Sequence, residues 1–329
     1  MMMDIRFNVL NEYVSKFIVV ESKFSHSGEK KELNFNINDY PKFKDKIEYI
    51  VIENEPENIV KDEELLKNSY QKRLNSLKRI EQSYNYMSKG IKEADENDLI
   101  LLSDNDEIPN LHPILKNQIK TDFIIFKQLF FYYKFNLLYD RIDWFGTKGC
   151  KKNKLTNFSS LRNLKNKKYP LWRLDTLFSD IKQTNIEIIE NGGWHFTNIK
   201  TPEQIFEKLK NFGHHDEFES AKINVNQIRK KIENKEVFYN HLADKNSKDR
   251  WNDNYKLKNF GHHDEFELAK INVNQIREKI ENKEVFYNHL ADKNSKNRWS
   301  DNYKLKKIQN ENLPKYLQKN FNHLREWFD

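Results

Sequence analysis

The chain has 329 residues, 37% hydrophobic and 13% aromatic, which is enough for one large or two ordinary domains with real cores and too apolar for a disordered chain. Lys and Arg number 57 against 50 Asp and Glu, a net charge of +7, but the two signs are interleaved, so nucleic acid is not an expected partner. A single cysteine, Cys150, excludes an internal disulfide framework and a cysteine-based zinc site; with no apolar run of about 18 residues and no signal-peptide pattern in Met1 to Arg6, a cytoplasmic protein with no membrane span, not secreted, is expected.

From the N-terminus, Ile5 to Leu10 reads as a short helix and Phe17 to Val20 as a buried strand that delivers Glu21 to its end. After a polar loop, Ser22 to Gly28, the residues Ile47, Tyr49, Ile50, Val51 and Ile52 mark a second strand. Leu65 to Ala94 is a helical stretch in which Leu74, Leu77, Ile80 and Tyr84 recur at three, three and four residues, the spacing of an amphipathic helix. It leads into Leu99-Ile-Leu-Leu102, four apolar residues that read as a strand buried on both faces, as in a parallel sheet. Strand, helix and strand in that order predict a parallel crossover within an α/β architecture, a mixed and mostly parallel sheet flanked by helices.

Asp104, Asp106 and Glu107 sit where that strand ends, with Pro109 expected to stop it. Ligands of open α/β sheets bind beyond the carboxyl ends of the strands. Two carboxylates one residue apart in a turn can converge on a hard divalent cation that also holds a diphosphate. The plainer reading of the same acids is a solvated cap.

Phe123 to Leu138 carries Phe126, Phe130, Phe131, Tyr132, Tyr133 and Phe135, an aromatic stripe expected to be core, whereas Trp144 and Trp172 are the rings expected to meet a ligand. Lys148 to Lys168 is the densest basic cluster and reads as solvated surface. Ile186, Ile188 and Ile189 predict a strand delivering the tight turn Asn191-Gly-Gly and then Trp194 and His195. Thr201, Pro202 and Gln204 form a capping box, so a helix begins there with Ile205, Phe206 and Leu209 turned inward.

The C-terminal third holds a tandem repeat of 48 residues, 211–258 and 259–306, in which only Ser220/Leu268, Lys230/Glu278, Asp249/Asn297 and Asn252/Ser300 differ. A solenoid needs about three units with divergent caps, so two near-identical copies read as a recent duplication. Each copy contains a helix, with Val225, Ile228 and Ile232 spaced three and four apart in the first.

Taken in order, several strings resemble glycosyltransferase family 17: Asp4-Ile-Arg-Phe-Asn8, Val19-Val-Glu-Ser22 with Ser25 and Gly28, Leu99 to Pro109, Gly192-Gly-Trp-His-Phe196, His215-Asp-Glu-Phe218 and Leu313-Pro-Lys-Tyr-Leu317. That family includes the β-1,4-mannosyl-glycoprotein N-acetylglucosaminyltransferase that adds bisecting GlcNAc. The resemblance implies a GT-A-like fold and an inverting transfer of N-acetylglucosamine from UDP-GlcNAc to a glycan or glycoprotein acceptor, assisted by a divalent cation, Mn²⁺ or Mg²⁺. By position it implies Asp104, Asp106 and His195 as metal ligands and the same three with Trp194 as donor-binding residues. Glu107 becomes a neighbour of the donor sugar. Glu217, Glu107 and Glu21, in that order, are the carboxylates implied for taking the acceptor proton. The expected organisation is a catalytic domain over 1–210, the duplicated helical segment over 211–306 and a C-terminal helix over 307–329 packed on the catalytic domain.

Two departures stand out. Family members usually carry a strand and an Asn-Glu-Leu-Asp segment before the position matching Asp4, and this chain begins almost there; Ser83 and Tyr84 stand where a Gln-Arg pair is frequent. They favour, as the alternative, a weakened or inactive relative with a glycan-binding or scaffold role. The missing anchor points to a bacterial or large-virus origin.

Overall fold

A computed structural model describes residues 1–67, 69–117, 119–211, 218, 222–238 and 303–329 of the chain. Helix α1 (Met2–Leu10) buries Ile5, Phe7 and Leu10. The Phe7 ring meets Phe17, Tyr40 and Phe43 at centroid distances of 4.8, 5.1 and 5.6 Å. Strands β1 (Phe17–Ser22) and β2 (Ile47–Ile52) form a parallel pair with Phe17 opposite Ile47, joined through two short 3-10 turns. After the short helix α2 (Glu63–Leu66), helix α3 (Ser69–Met87) packs on both strands. Its buried Asn75 accepts from Val60 N at 3.1 Å and donates to Val60 O at 2.7 Å, so both the oxygen and the nitrogen of this buried amide are paired.

The larger sheet is built on β5 (Phe123–Tyr132). Strands β3 (Leu99–Leu102), β7 (Trp144–Lys151), β5, β6 (Leu137–Leu138) and β10 (Lys306–Lys307) pair antiparallel in succession. The other edge of β5 holds β8 (Ile186–Ile189) and then β9 (Gly193–Thr197), both parallel, and β4 (Glu107–Pro109) closes antiparallel onto β9. The expectation of a mostly parallel sheet is therefore corrected. The sheet is mixed and flanked by helices, and among the described residues parallel pairing is confined to β1–β2, β5–β8 and β5–β9.

The crossover through α3 delivers β3 to the larger sheet instead of beside β2. The apolar run of β3 has a different cause from parallel pairing: Ile100 and Leu102 join a core with Phe158 and Leu161, while Leu99 and Leu101 pack against a separate core on the opposite face. Both faces are covered, so four successive apolar residues are required whichever way the neighbour runs. Pro109 ends β4, a short strand that follows the acidic turn and precedes helix α4 (His112–Asn117), and does not terminate β3.

The aromatic stripe of β5 is core as expected, Phe126, Phe130, Phe131 and Tyr132 being at most 3% exposed. Helix α6 (Pro202–Asn211) starts on the predicted box, with Gln204 N donating to Thr201 Oγ1 at 3.3 Å and Thr201 N to Gln204 Oε1 at 3.2 Å. It packs on α7 (Val225–Glu233), and Ile205, Phe218, Ile228 and Phe238 share a core with Phe130 and Tyr132.

The described part of the repeat is composite. Val237 N of the first copy donates to Tyr303 O of the second at 3.3 Å, and Leu305 N donates back to Lys235 O at 2.8 Å. Residues 259–302 and Glu217 lie outside the described residues. Helix α8 (Lys315–Lys319) packs on α1, with Tyr316 OH donating to Asp4 Oδ2 at 2.6 Å. Among the described residues no helix is long and apolar enough to cross a membrane.

Candidate functional site

The chain turns as soon as β3 ends. Glu107 N donates to Asp104 O at 3.1 Å, and Asp104 N donates to Glu107 Oε2 at 3.1 Å, so the acidic turn is closed at both ends. Beyond it, β4 sets Glu107 directly opposite His195 on β9, and β5 sets Phe130 opposite His195 from the other side. This register depends on Gly193, whose φ is +108°. A Cβ there would stand 2.2 Å from Ile108 O and 2.6 Å from Asn110 N, so only glycine lets β9 close against β4 and carry His195 to the acids.

Asp106 is the most stabilised anion of the group. Its Oδ1 lies 3.5 Å from His195 Nε2 and its Oδ2 lies 3.9 Å from Lys208 Nζ on α6. Burial alone would raise its affinity for a proton, but the charge and hydrogen bond of His195, with Lys208, more than offset this and hold the carboxyl well below the usual range.

Glu107 responds oppositely. It is 1% exposed, and desolvation first, then the charges of Asp104 and Asp106, push its carboxyl up against the pull of Arg162 and His195. Its Oε1 accepts from Trp144 Nε1 at 3.0 Å. Adjacent carboxylates with opposed shifts are the pattern of a site that both holds charge and moves a proton.

Three cations balance these acids. Arg6, from α1, donates to the carbonyls of Glu107 and, at 3.4 Å, of Asp104. Burial pushes its guanidinium down to about 10, against the pull of Glu107, Asp104 and Asp106, which leaves a full cation at neutral pH. Arg162 ends helix α5 (Phe158–Arg162), and its Nη2 lies 2.8 Å from Asp104 Oδ2. Its guanidinium is pushed up in spite of burial, mainly by Asp104 and Glu107. Lys208 completes the set.

The His195 imidazole stacks on Trp144 at 4.2 Å and 20° and on Phe130 at 4.6 Å and 16°. Its Nδ1 is buried without a hydrogen-bond partner. Around the floor, Ser103 and Thr147 share a 2.7 Å hydrogen bond, and Gln128 Nε2 donates to Thr147 Oγ1 at 3.3 Å. Gly146 leaves room for this layer, because a Cβ would fall 2.0 Å from Gln128 Oε1 and 2.9 Å from Glu107 Cδ.

Of the residues singled out from the sequence, Asp104, Asp106, Glu107 and His195 come together, and Trp144 joins them. Trp194 does not: it alternates with His195 along β9, so it faces the other way, and its Nε1 donates to Asn312 O at 2.7 Å. Glu21 stands apart at the end of β1, accepting from Lys31 Nζ at 2.6 Å, Asn34 N at 2.9 Å, Phe35 N at 3.0 Å and Tyr49 OH at 3.0 Å. Those donors overcome burial and pull it down to about 2, the chemistry of an anchor for the 31–35 loop. Trp172 lies on a loop and is 77% exposed.

No sequence pattern assigns Arg6, Arg162 and Lys208 to the site. Arg6 lies inside the Asp4-Ile-Arg string and Arg162 inside the basic cluster, so each had a signal, but only tertiary contact assigns them to the acids.

Asp106 and His195 fit a shared divalent cation, since adjacent ligands with bonds of about 2.1 Å stand roughly 3.0 to 3.5 Å apart and the observed separation is 3.5 Å. Asp104 is engaged by Arg162, and among the described residues no group of three His, Cys, Asp or Glu side chains is gathered for an ion. A site of this kind would take its remaining ligands from a diphosphate and water.

Among known protein families, a model described as glycosyltransferase family 17 matches residues 1–249. No curated protein and no solved structure matches the chain.

Proposed function

Because this chain belongs to glycosyltransferase family 17, we propose that it transfers N-acetylglucosamine from UDP-GlcNAc to a hydroxyl of a glycan or glycoprotein acceptor, with inversion and on a GT-A-type scaffold. The observation that carries the reading is the pairing of an anionic Asp106 beside His195 with a buried Glu107 of raised proton affinity one residue away. In the proposed reaction the acceptor oxygen attacks the anomeric carbon from the face opposite the diphosphate. The bond from that carbon to the diphosphate oxygen breaks, its electron pair leaves with UDP, and the acceptor proton passes to a carboxylate.

Asp106 and His195 are the residues that would hold a divalent cation, Mn²⁺ or Mg²⁺, with Asp104 joining when it is released from Arg162. Such an ion neutralises charge on the departing diphosphate. Arg162 and Lys208 supply fixed positive charge to the same oxygens, the electrostatic complement that diphosphate departure requires.

For the proton, Glu107 is favoured over Glu21, because its raised affinity suits a base working near neutral pH and the strongly lowered Glu21 does not. Glu217 is the competing candidate. The single, buried Cys150 suits a reducing, cytoplasmic setting.

The reading is tested by incubating the protein with UDP-GlcNAc, Mn²⁺ and a panel of oligosaccharides and detecting the mass of one added N-acetylhexosamine. Glu107→Gln and Glu217→Gln are compared in the same assay. The base variant loses about 10²- to 10⁴-fold in transfer. Loss in Glu217→Gln with Glu107→Gln fully active moves the role to Glu217, and no transfer to any acceptor with any UDP-sugar refutes the reading.

A further inference from the structure

Between β7 and β8 the chain contains a segment turned inside out. Three successive backbone hydrogen bonds, Arg173 N to Pro170 O at 3.1 Å, Thr176 N to Arg173 O at 3.2 Å and Ser179 N to Thr176 O at 3.4 Å, wind it at about three residues per turn. Leu174–Phe178 is a 3-10 helix within this stretch. At that period Arg173, Thr176 and Ser179 form one row, and these three are the half-buried residues. The two outward rows are Leu171, Leu174, Leu177 and Trp172, Asp175, Phe178. Their large apolar members are 88% (Leu171), 71% (Leu174), 74% (Leu177), 77% (Trp172) and 92% (Phe178) exposed. A segment that merely closed a loop would bury its leucines and rings and turn Arg, Thr and Ser to water. The reversed arrangement makes a continuous exposed apolar surface of the kind that marks an interaction site.

Its border is basic. Lys165, Lys167, Lys168, Arg173 and Lys182 face two acids, Asp175 and Asp180, between positions 165 and 182. Lys167 and Lys168 are exposed immediately before the apolar run. Asp175, the acid inside the run, is clasped by Arg173 at 2.8 and 2.6 Å and by Lys182 at 3.1 Å. A Trp, a Phe and three Leu side chains projecting from a cationic rim, with the intervening carboxylate already compensated, match the boundary between headgroups and acyl chains of an anionic bilayer. A purely apolar protein groove would satisfy the two rows and leave the rim without a counterpart.

We propose that residues 171–178 form a membrane-docking wedge, seating the apolar rows in an anionic lipid surface while Lys167 and Lys168 meet the lipid phosphates. The same β7–β8 connection carries Arg162, bound to Asp104, so docking also holds the acidic site near the lipid surface.

The test is co-sedimentation of the full chain with phosphatidylcholine vesicles, with and without phosphatidylglycerol. The wedge predicts binding that requires the anionic lipid and weakens with salt. Leu177→Ser/Phe178→Ser and Lys167→Glu/Lys168→Glu each weaken it roughly tenfold or more, with the melting temperature and vesicle-free UDP release unchanged. Three results overturn the proposal: no binding to anionic vesicles, equal binding by the Leu177→Ser/Phe178→Ser variant, or a wild-type dimer that this variant converts to monomer, which would make the surface a contact between copies.

Discussion

Trp144→Phe isolates one hydrogen bond of the acidic site. The phenyl ring retains the place from which the indole stacks on His195 at 4.2 Å and Phe130 at 4.9 Å, while the donor 3.0 Å from Glu107 Oε1 is lost. Hydrogen bonds to charged groups contribute about 1.5–3 kcal/mol, and the high end applies because Glu107 is only 1% exposed and water cannot replace the donor. The smaller ring adds a cavity cost of about 1 kcal/mol that does not depend on pH.

The hydrogen-bond part does depend on pH. Glu107 is raised in the fold, so its burial costs stability that is full above the folded value, shrinks as pH falls between the folded and the unfolded values, and is gone below the unfolded one. Losing the Trp144 donor enlarges the cost of the ionised form and leaves the protonated form almost untouched. Urea unfolding, followed by circular dichroism against wild type, should therefore show a loss approaching about 4 kcal/mol in alkali, where Glu107 is ionised, and shrinking towards about 1 kcal/mol in acid, where it is protonated. A loss that is equal in alkali and in acid refutes the idea that Trp144 supports an ionised Glu107.

Further predictions follow from single features. Glu21 is lowered from 4.5 to about 2 and its side chain is 14% exposed, so Glu21→Gln should cost about 3 kcal/mol at pH 7. This stability is present above the unfolded value and is lost as pH falls towards about 2, so wild type and variant converge in acid; a pH-independent difference contradicts it. Gly193→Ala places a Cβ 2.2 Å from Ile108 O at a φ of +108°, and unfolding should register a loss of about 3 kcal/mol or more, whereas a near-neutral effect would dismiss the β4–β9 closure as the source of the register. Deleting residues 255–302 joins Asn254 to Tyr303 and restores one 48-residue unit from the near-identical pair, so melting temperature and UDP release should stay close to wild type. A deletion variant that fails to fold argues that one composite unit is insufficient.

Legibility in the sequence followed the range of the interactions. The capping box at Thr201, the helix of Leu74 to Tyr84 and the aromatic core of β5 rest on local spacing, and each is found where the spacing predicts. The partnership of strands is a long-range property. Leu99 to Leu102 is apolar because a core covers each face, and that pattern is the same for an antiparallel neighbour as for a parallel one.

The site shows the same division. Asp104 to Glu107 and Gly192 to His195 are short strings whose glycines and acids signal a turn and a cation site. Arg6 meets Asp104 and Glu107 across about a hundred residues of chain, and Arg162 reaches Asp104 from the end of α5. No spacing rule joins positions so distant. Trp194 shows the limit of adjacency, for alternation along β9 sends it away from His195 to the C-terminal segment.

The proposed role of the acidic turn and His195 is to release UDP from a nucleotide sugar during transfer. UDP release from a panel of UDP-sugars with oligosaccharide acceptors is measured for wild type and Asp106→Asn, with Mn²⁺ and with EDTA. Release with UDP-GlcNAc should be abolished by EDTA and reduced at least a hundredfold, about 2.7 kcal/mol, in the folded Asp106→Asn protein. Release that survives in Asp106→Asn, or a folded wild type silent with every donor, would contradict it.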